Sequence, residues 1–311
     1  MRSSLPVAAA AVIALAWPAQ AQVDAAVVVA AERAFAADGL RLGFKASFLK
    51  HSAPEAIVMQ PGPVNAHASL SALPDPRPGE KQAALYWWPL WAGVSRSGDL
   101  GFTSGPISVD GQRGGYYFTI WKKQPDGGWK WVFDGGGLGD AKAEPPAGTE
   151  PVRVPLAAAA AAAGSAWAAM SEIATVEAEL AARAKTDQKA AHLAYLAPGG
   201  RIYVPREPLA RDRATLATQL GLYPDSITFE LLRGEASYAG DLAWTYGSAE
   251  WVRDGQAVSG NSIMGLMMLG AGPGSTILVQ ATGKQAREAL DAITTLVNNG
   301  FDEDSDGAPA P

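Results

Sequence analysis

Cysteine is absent from the 311 residues. That excludes disulfides, thiol catalysis, cysteine-bound zinc and a lipid-anchored N-terminal cysteine. Histidine is scarce, with only His51, His67 and His192, and none sits in a metal-histidine motif. A nucleophile elbow and a phosphate-binding loop are also missing. Charged residues make up only 18%, and the balance is acidic, with a net charge of −6 and a pI of about 5.2. Such a surface repels phosphate backbones, so nucleic acid is not an expected partner. Beyond the N-terminus no apolar run reaches membrane-spanning length without a charge, Gly or Pro. What the chain does have is 48% apolar residues, enough for a normal core, and a length that suits two ordinary domains or three small ones.

The N-terminus carries export signals in their working order. Arg2 supplies a positive start, Leu5 to Trp17 is an apolar run too short for a stable membrane anchor, and Ala19-Gln20-Ala21 is a small-x-small cleavage site. The expectation is a signal peptide over 1–21, cut after Ala21, and a periplasmic protein in a Gram-negative source. No membrane association is expected after processing.

An internal repeat follows. Lys45-Ala46-Ser47-Phe48-Leu49 with Ala53-Pro54 recurs 144 residues later as Lys189-Ala190-Ala191-His192-Leu193 with Ala197-Pro198. Ser97-Gly98-Asp99-Leu100-Gly101-Phe102-Thr103-Ser104-Gly105 recurs 142 residues later as Ala239-Gly240-Asp241-Leu242-Ala243-Trp244-Thr245-Tyr246-Gly247. Two matches in one order at nearly one offset predict a domain over 22–140 and a second copy over 156–252. Between them 141–155, with prolines at 145, 146, 151 and 155, reads as a stiff, extended linker. Alanine-rich Leu156 to Ala163 reads as the start of the second copy's first helix.

Each copy opens with helical periodicity, over Val27 to Leu49 and Ile173 to Leu196. In the first copy Gly114 to Trp121 is an aromatic strand, Pro125-Asp126-Gly127-Gly128 a hairpin turn, and Gly128 to Asp134 the returning strand. Strict alternation places Trp129, Trp131 and Phe133 on one face of that strand, with Lys130 and Val132 on the other. Helices, then Gly-Asp-Leu-Gly-Phe-Thr-Ser-Gly, Gly-Tyr-Tyr-x-x-x-Trp and Gly-Trp-x-Trp-x-x-Asp, resemble the nuclear-transport-factor-2-like (SnoaL-like) superfamily, and most of all its exported bacterial branch. The resemblance implies an α+β fold in which a curved antiparallel sheet forms a cone around an apolar pocket. It also implies a range of activities from isomerase or dehydratase to inert binding domain. In the second copy the pattern stops after Glu250-Trp251-Val252, so the last two cone strands are missing.

From Arg253 the texture changes. Ser262 to Leu269 reads as a short helix, Ser275 to Ala281 as a strand, and Gln285 to Asn298 as a helix whose apolar face holds Ala286, Ala289, Leu290, Ile293, Leu296 and Val297. Val258-Ser259-Gly260, Ser262 to Ala271, Ala286 to Val297 and Gly300-Phe301-Asp302-Glu303 are similar to the C-terminal half of HPr, the phosphocarrier of the sugar phosphotransferase system. The resemblance implies half of an open-faced β-sandwich over 253–304 and a regulatory phosphorylation site at Ser262, and the acidic end of the chain reads as a disordered tail over 305–311. The family's acceptor histidine, roughly thirty residues earlier in Gly-Leu-His-Ala-Arg, has no counterpart. An isolated strand with two bare edges in a fragment of ~50 residues is a poor independent folder. The fusion itself reads as a joining or deletion at Asp254-Gly255-Gln256, an echo of Asp110-Gly111-Gln112.

Tyr86, Trp87, Trp88, Trp91, Tyr117 and Trp121 form an aromatic set that either lines an apolar pocket or packs a core. His51 and His67 fall in turn-like sequence with no obvious carboxylate, and the expectation is exposure. No catalytic residue, metal site or cofactor stands out. The sequence therefore supports an exported, non-enzymatic protein that binds a small apolar ligand or a protein partner, with an HPr-like tail that is vestigial. Dimerisation through the cone sheet is a further expectation. The alternatives are an HPr-related component of the phosphotransferase system, or an isomerase or dehydratase acting in the first cone.

Overall fold

The computed structural model describes residues 24–60, 62–77, 82–154, 165–251 and 285–298, together with Val279 and Ala281. The chain divides into two compact units, 1–252 and 253–311.

In the first unit, α1 (Ala26–Leu42) and α2 (Phe44–His51) are separated by Gly43, whose φ of 81° suits a residue without a Cβ. A hairpin follows, β1 (Ser52–Gln60) and β2 (Gly62–Asn65), then α3 (Ala66–Ala72), capped by the Asn65 side chain. Five strands complete the sheet: β3 (Leu85–Trp87), β4 (Trp91–Val94), β5 (Leu100–Val109), β6 (Gln112–Lys123) and β7 (Trp129–Leu138). The strand order is β2-β1-β7-β6-β5-β4, with β3 also paired to β5; β1 lies parallel to β7 and the remaining pairs among these are antiparallel. Register shifts interrupt the β1–β7, β5–β6 and β6–β7 ladders. Bulges of this kind bend strands, and here they curve the sheet around α1 and α2.

Residues 141–155 are expected from their prolines to form a stiff, extended linker, and the described part packs against the first sheet. Ala141 and Glu144 are buried, and β8 (Val152–Arg153) pairs parallel to β4. The segment closes an otherwise open sheet edge.

The bulge between Ile120 and Trp121 also overturns the alternation expected for β7. Trp131 faces the helices in the main core with Phe35 and Trp121, whereas Val132 and Phe133 face the opposite side. One extra residue reverses every side chain beyond it.

The second segment contains α4 (Ala166–Tyr195), α5 (Arg213–Leu220) and a hairpin of β9 (Thr228–Ala236) and β10 (Ala243–Glu250). Helix α4 breaks at Asp187, 144 residues after Gly43. Between α4 and α5 the described chain has no counterpart of β1 and β2, and β9–β10 is a sheet of two strands among the described residues. The expected helix start at 156–163 lies outside the described residues.

In the second unit, α6 (Ala286–Asn298) forms where the apolar periodicity predicted it. Ala286 and Leu290 are half-buried, and Ile293 is 37% exposed. The helix expected at 262–269 and most of the strand expected at 275–281 lie outside the described residues.

Candidate functional site

The helix-facing side of the curved sheet holds a carboxylate. Val28, Glu32 and Phe35 share one face of α1, at spacings of four and three residues, and all three are at most 0% exposed. Glu32 Oε1 accepts from Trp87 Nε1 at 2.5 Å, and Oε2 accepts from Trp121 Nε1 at 3.0 Å and from the Thr103 hydroxyl. Trp121 Nε1 also donates to Thr103 Oγ1 at 3.0 Å. Burial raises the Glu32 pKa, and the hydrogen bonds from Thr103, Trp87 and Trp121 oppose that rise.

A second acid sits further along the same face. Asp134 on β7 is half-buried and accepts from Thr119 Oγ1 at 2.8 Å. Burial, and then the charge of Glu32, push its carboxyl up to about 8. The Tyr117 hydroxyl, within reach of the charges of both acids, is enclosed without a hydrogen-bond partner and rises well above its usual range through burial. The indole N–H of Trp131 is likewise enclosed and unpaired.

These groups have the chemistry of an acid–base site, but the space around them is filled. Phe35 packs edge-on to Phe48 at 4.7 Å and to Trp87 at 4.8 Å, and lies 6.2 Å from both Trp121 and Trp131. Of the aromatic residues singled out in the sequence, Trp87, Tyr117 and Trp121 belong to this core, with Tyr86 packed at its margin. Trp88 and Trp91 lie on the other side of the sheet, clustered with Leu90, Tyr116, Ala141 and Leu209. The six do not line one pocket. Strand alternation separates neighbours such as Trp87 and Trp88.

The outer side of the sheet is covered by the second segment. Tyr203 stacks on Tyr116 at 4.6 Å and shares a hydrogen bond with Ser104 Oγ at 2.8 Å. Arg201 lies 4.2 Å over Trp91, and Arg211 pairs with Glu144 at 2.7 Å. Phe133 contacts Trp244 at 5.4 Å and stacks on Tyr246 at 6.1 Å, and Lys122 pairs with Glu235. An apolar cleft of about 150 Å³ remains between Phe102, Phe118 and Ile120 of the first segment and Leu242 and Trp244 of the second. The indole N–H of Trp244 is enclosed and has no partner.

The histidines are not the exposed loop residues expected. His51 ends α2 with its side chain 13% exposed, and its Nε2 lies 2.8 Å from Asp38 Oδ2. Asp38 also pairs with Lys50 at 2.5 Å and Arg41 at 2.6 Å, so its carboxyl is held below the usual carboxylate range. Helix geometry hid this partner, because Asp38 and His51 stand on different helices joined at Gly43. His67 lies in α3, half-buried, with Nε2 2.9 Å from Ser52 Oγ. Ser52 Oγ also lies 3.2 Å from Leu49 O, and its one hydroxyl proton serves either that carbonyl or His67, according to the His67 tautomer. His192 is half-buried, with Nδ1 2.7 Å from Gln188 O.

Neither Glu32 nor Asp134 is among the residues that the sequence pattern singles out. Glu32 was detectable, as a charged residue at an apolar position of the α1 pattern. Asp134 was not, because its inward orientation depends on the β7 bulge. No cluster of His, Asp and Glu suited to a metal occurs among the described residues, and no described helix is long and apolar enough to cross a membrane. Ser262 lies outside the described residues.

Comparison with known proteins bears on the C-terminal part. Residues 236–299 match the family model of the phosphotransferase-system HPr component phosphorylation site. That match begins 17 residues before Arg253 and takes in all of β10. The phosphocarrier protein HPr of Cupriavidus necator is 47% identical over 51 residues, which is 16% of this chain and 57% of that protein. The phosphocarrier protein NPr of Escherichia coli K12 gives the same figures, and HPr of Pseudomonas aeruginosa is 50% identical over 46 residues, 15% of this chain and 51% of that protein. The chain thus spans a little over half the length of these relatives. Two solved structures overlap the chain at low similarity. A provisionally assigned aromatic ring hydroxylase from Novosphingobium aromaticivorans has a TM-score of 0.27 at 15% identity, covering 37% of this chain and 88% of its own. A provisionally assigned ketosteroid isomerase from Shewanella frigidimarina has a TM-score of 0.25 at 16% identity, covering 36% and 94%. Scores of this size carry no argument about function.

Proposed function

We propose that this chain is an exported, non-enzymatic binding protein. In this reading one cone-shaped domain occurs twice, the second time truncated, and the HPr-like tail is a remnant without phosphocarrier activity. The observation that carries the proposal is the filled interior around Glu32. A substrate would have to displace Phe35, Trp87 or Trp121, and the carboxylate is already engaged by three donors. Among the described residues, an apolar cleft lies between the segments, lined by Phe102, Phe118, Ile120, Leu242 and Trp244. Its volume suits a molecule of about benzene size. A small apolar ligand, or an apolar protein side chain, matches this chemistry.

The test uses the full chain without residues 1–21, titrated with benzaldehyde and followed through the Trp244 indole N–H resonance. A saturable shift that disappears in Ile120→Trp, which fills the cleft, is expected. A flat titration up to the solubility limit would rule out the ligand reading. Recovery from a periplasmic extract with Gln22 as the first residue is the corresponding expectation for export.

The HPr match favours a second reading, a phosphotransferase-system component modified at Ser262. In the cone reading, incubation with phosphoenolpyruvate, the first relay enzyme and magnesium leaves the protein unlabelled. The described surroundings of His51 and His67 tie both rings to Asp38 and Ser52. Acid-labile phosphate on His51, His67 or His192 would establish the second reading.

A further inference from the structure

The buried face of α1 has a counterpart on α4. Val28, Glu32 and Phe35 are matched 145 residues later by Ile173, Glu177 and Leu180, at the same spacings of four and three. Thr103 on β5 and Thr245 on β10 hold the same place in the two matched Gly-Asp segments. Thr245 Oγ1 donates to Glu177 Oε1 at 2.8 Å, as the Thr103 hydroxyl donates to Glu32. The strand on one side is repeated too. On β4 Ala92 pairs with Thr103, and on β9 Gly234 pairs with Thr245, both antiparallel.

The cover differs. Glu32 accepts two indole N–H groups, from Trp87 on β3 and Trp121 on β6, and β6 lies along the edge of β5 away from β4. Among the described residues β10 has β9 as its one neighbour, so the edge equivalent to the one that β6 covers is unpaired. Val28, Glu32 and Phe35 are fully buried, whereas Ile173, Glu177 and Leu180 are each half-buried. Thr245 is the single hydrogen-bond partner of Glu177 among the described residues. Leu231 pairs with Gly247, two residues beyond Thr245, so it shares the side that faces α4, and it is 37% exposed. Phe229, on the same side, contacts His192 of α4 at 5.4 Å. A carboxylate, an open strand edge and an apolar surface thus lie together on the inner face of the hairpin. Trp244 and Tyr246 meet Phe133 on its other face.

We infer that this inner face is a docking site for an extended, tryptophan-bearing strand of a partner protein, which pairs with the β10 edge and donates its indole N–H to Glu177. The first domain displays the fit, because β6 with Trp121 fills the equivalent place there. An indole suits the surface better than a lysine does, since it brings a large apolar body together with one donor. The site is separate from the apolar cleft, so it stands whether or not the cleft takes a ligand.

The probe is a peptide with the sequence of Gln112–Lys123, isotope-labelled at the Trp121 indole and titrated into the full chain without residues 1–21. Saturable binding with a downfield shift of the indole N–H is expected. Trp121→Phe in the peptide and Glu177→Leu in the protein should each weaken binding roughly tenfold, and the two together no more than either alone. Independent, additive losses overturn the inference, as does a titration without saturation. Binding untouched by Glu177→Leu also overturns it, because the peptide is then exchanging with the chain's own β6 or, where Ile120→Trp abolishes it, entering the cleft. Benzaldehyde binding at the cleft should be the same in Glu177→Leu as in the parent, so a failure of either reading is seen separately. Should Glu177→Leu fail to fold by circular dichroism, Glu177→Gln keeps the shape and weakens the acceptor, and it carries the same comparison with a smaller loss.

Discussion

Glu32 on α1 and Trp121 on β6, 89 residues apart, are joined through a 3.0 Å hydrogen bond in the middle of the core. The same relationship recurs in reduced form. Thr245 Oγ1 donates to Glu177 at 2.8 Å, as the Thr103 hydroxyl donates to Glu32, but no tryptophan joins Glu177 among the described contacts. If Glu32 is a structural acceptor, replacing it with an apolar residue of similar size strands the Trp87 N–H. Trp121 and Thr103 retain each other. Glu32→Leu should therefore lower the unfolding free energy by about 2–4 kcal/mol, measured by urea denaturation. A neutral or stabilising result would mean that the carboxylate is held there at a cost to stability, as functional acids often are.

Asp134 supplies a pH dependence with a definite sign. Its folded-state pKa, about 8, lies above the ordinary 3.8. The folded state therefore holds a proton that the unfolded state has released, and stability falls as pH rises between those values. Asp134→Asn keeps an acceptor for Thr119 and removes the titration. We expect the variant to gain stability over the parent as pH rises, by up to about 5 kcal/mol at pH 8 for a shift of this size, and to match it near pH 4. Parallel stability curves for the two proteins from pH 4 to 8 would contradict this.

His51 responds to two opposed influences. Burial lowers its pKa, and the Asp38 carboxylate raises it. Asp38→Asn removes the second influence, so the His51 imidazole should titrate at lower pH than in the parent, followed by its ring proton or nitrogen shifts. Asp38 itself acts in the opposite pH range. Its depressed folded-state pKa means that its contribution is present above about pH 4 and is lost as pH falls through the folded value. An upward or absent shift of His51 in the variant would contradict this, because the remaining Lys50 and Lys130 charges also act to lower its pKa.

Much of the first domain was legible in its sequence. The helical period over Val27–Leu49, the Pro125–Gly128 turn and the aromatic strand ending at Trp121 are local signals, and the elements stand close to those places. The aromatic set was read as a group because its members are neighbours in sequence, and the sheet divided it between two faces. The Gly-Asp repeat was visible as turn chemistry, but its role in the contact between segments was not, since nothing local indicates that Arg96 meets Asp241 across 145 residues.

The sequence alone determined the leading helical stretches, the aromatic hairpin with its turn and the last helix, because backbone propensity, apolar period and positive-φ glycines act over a few residues. It also determined what the chain lacks, including any cysteine chemistry and the phosphocarrier's histidine motif. The tertiary structure decided which side chains meet. It placed β1 parallel beside β7, turned Trp131 inward and Phe133 outward at a bulge, and brought Glu32 under two tryptophans. Those outcomes depend on closing the sheet around α1, and a single inserted residue in one ladder changes every facing beyond it. No pattern of period two can specify where that insertion falls.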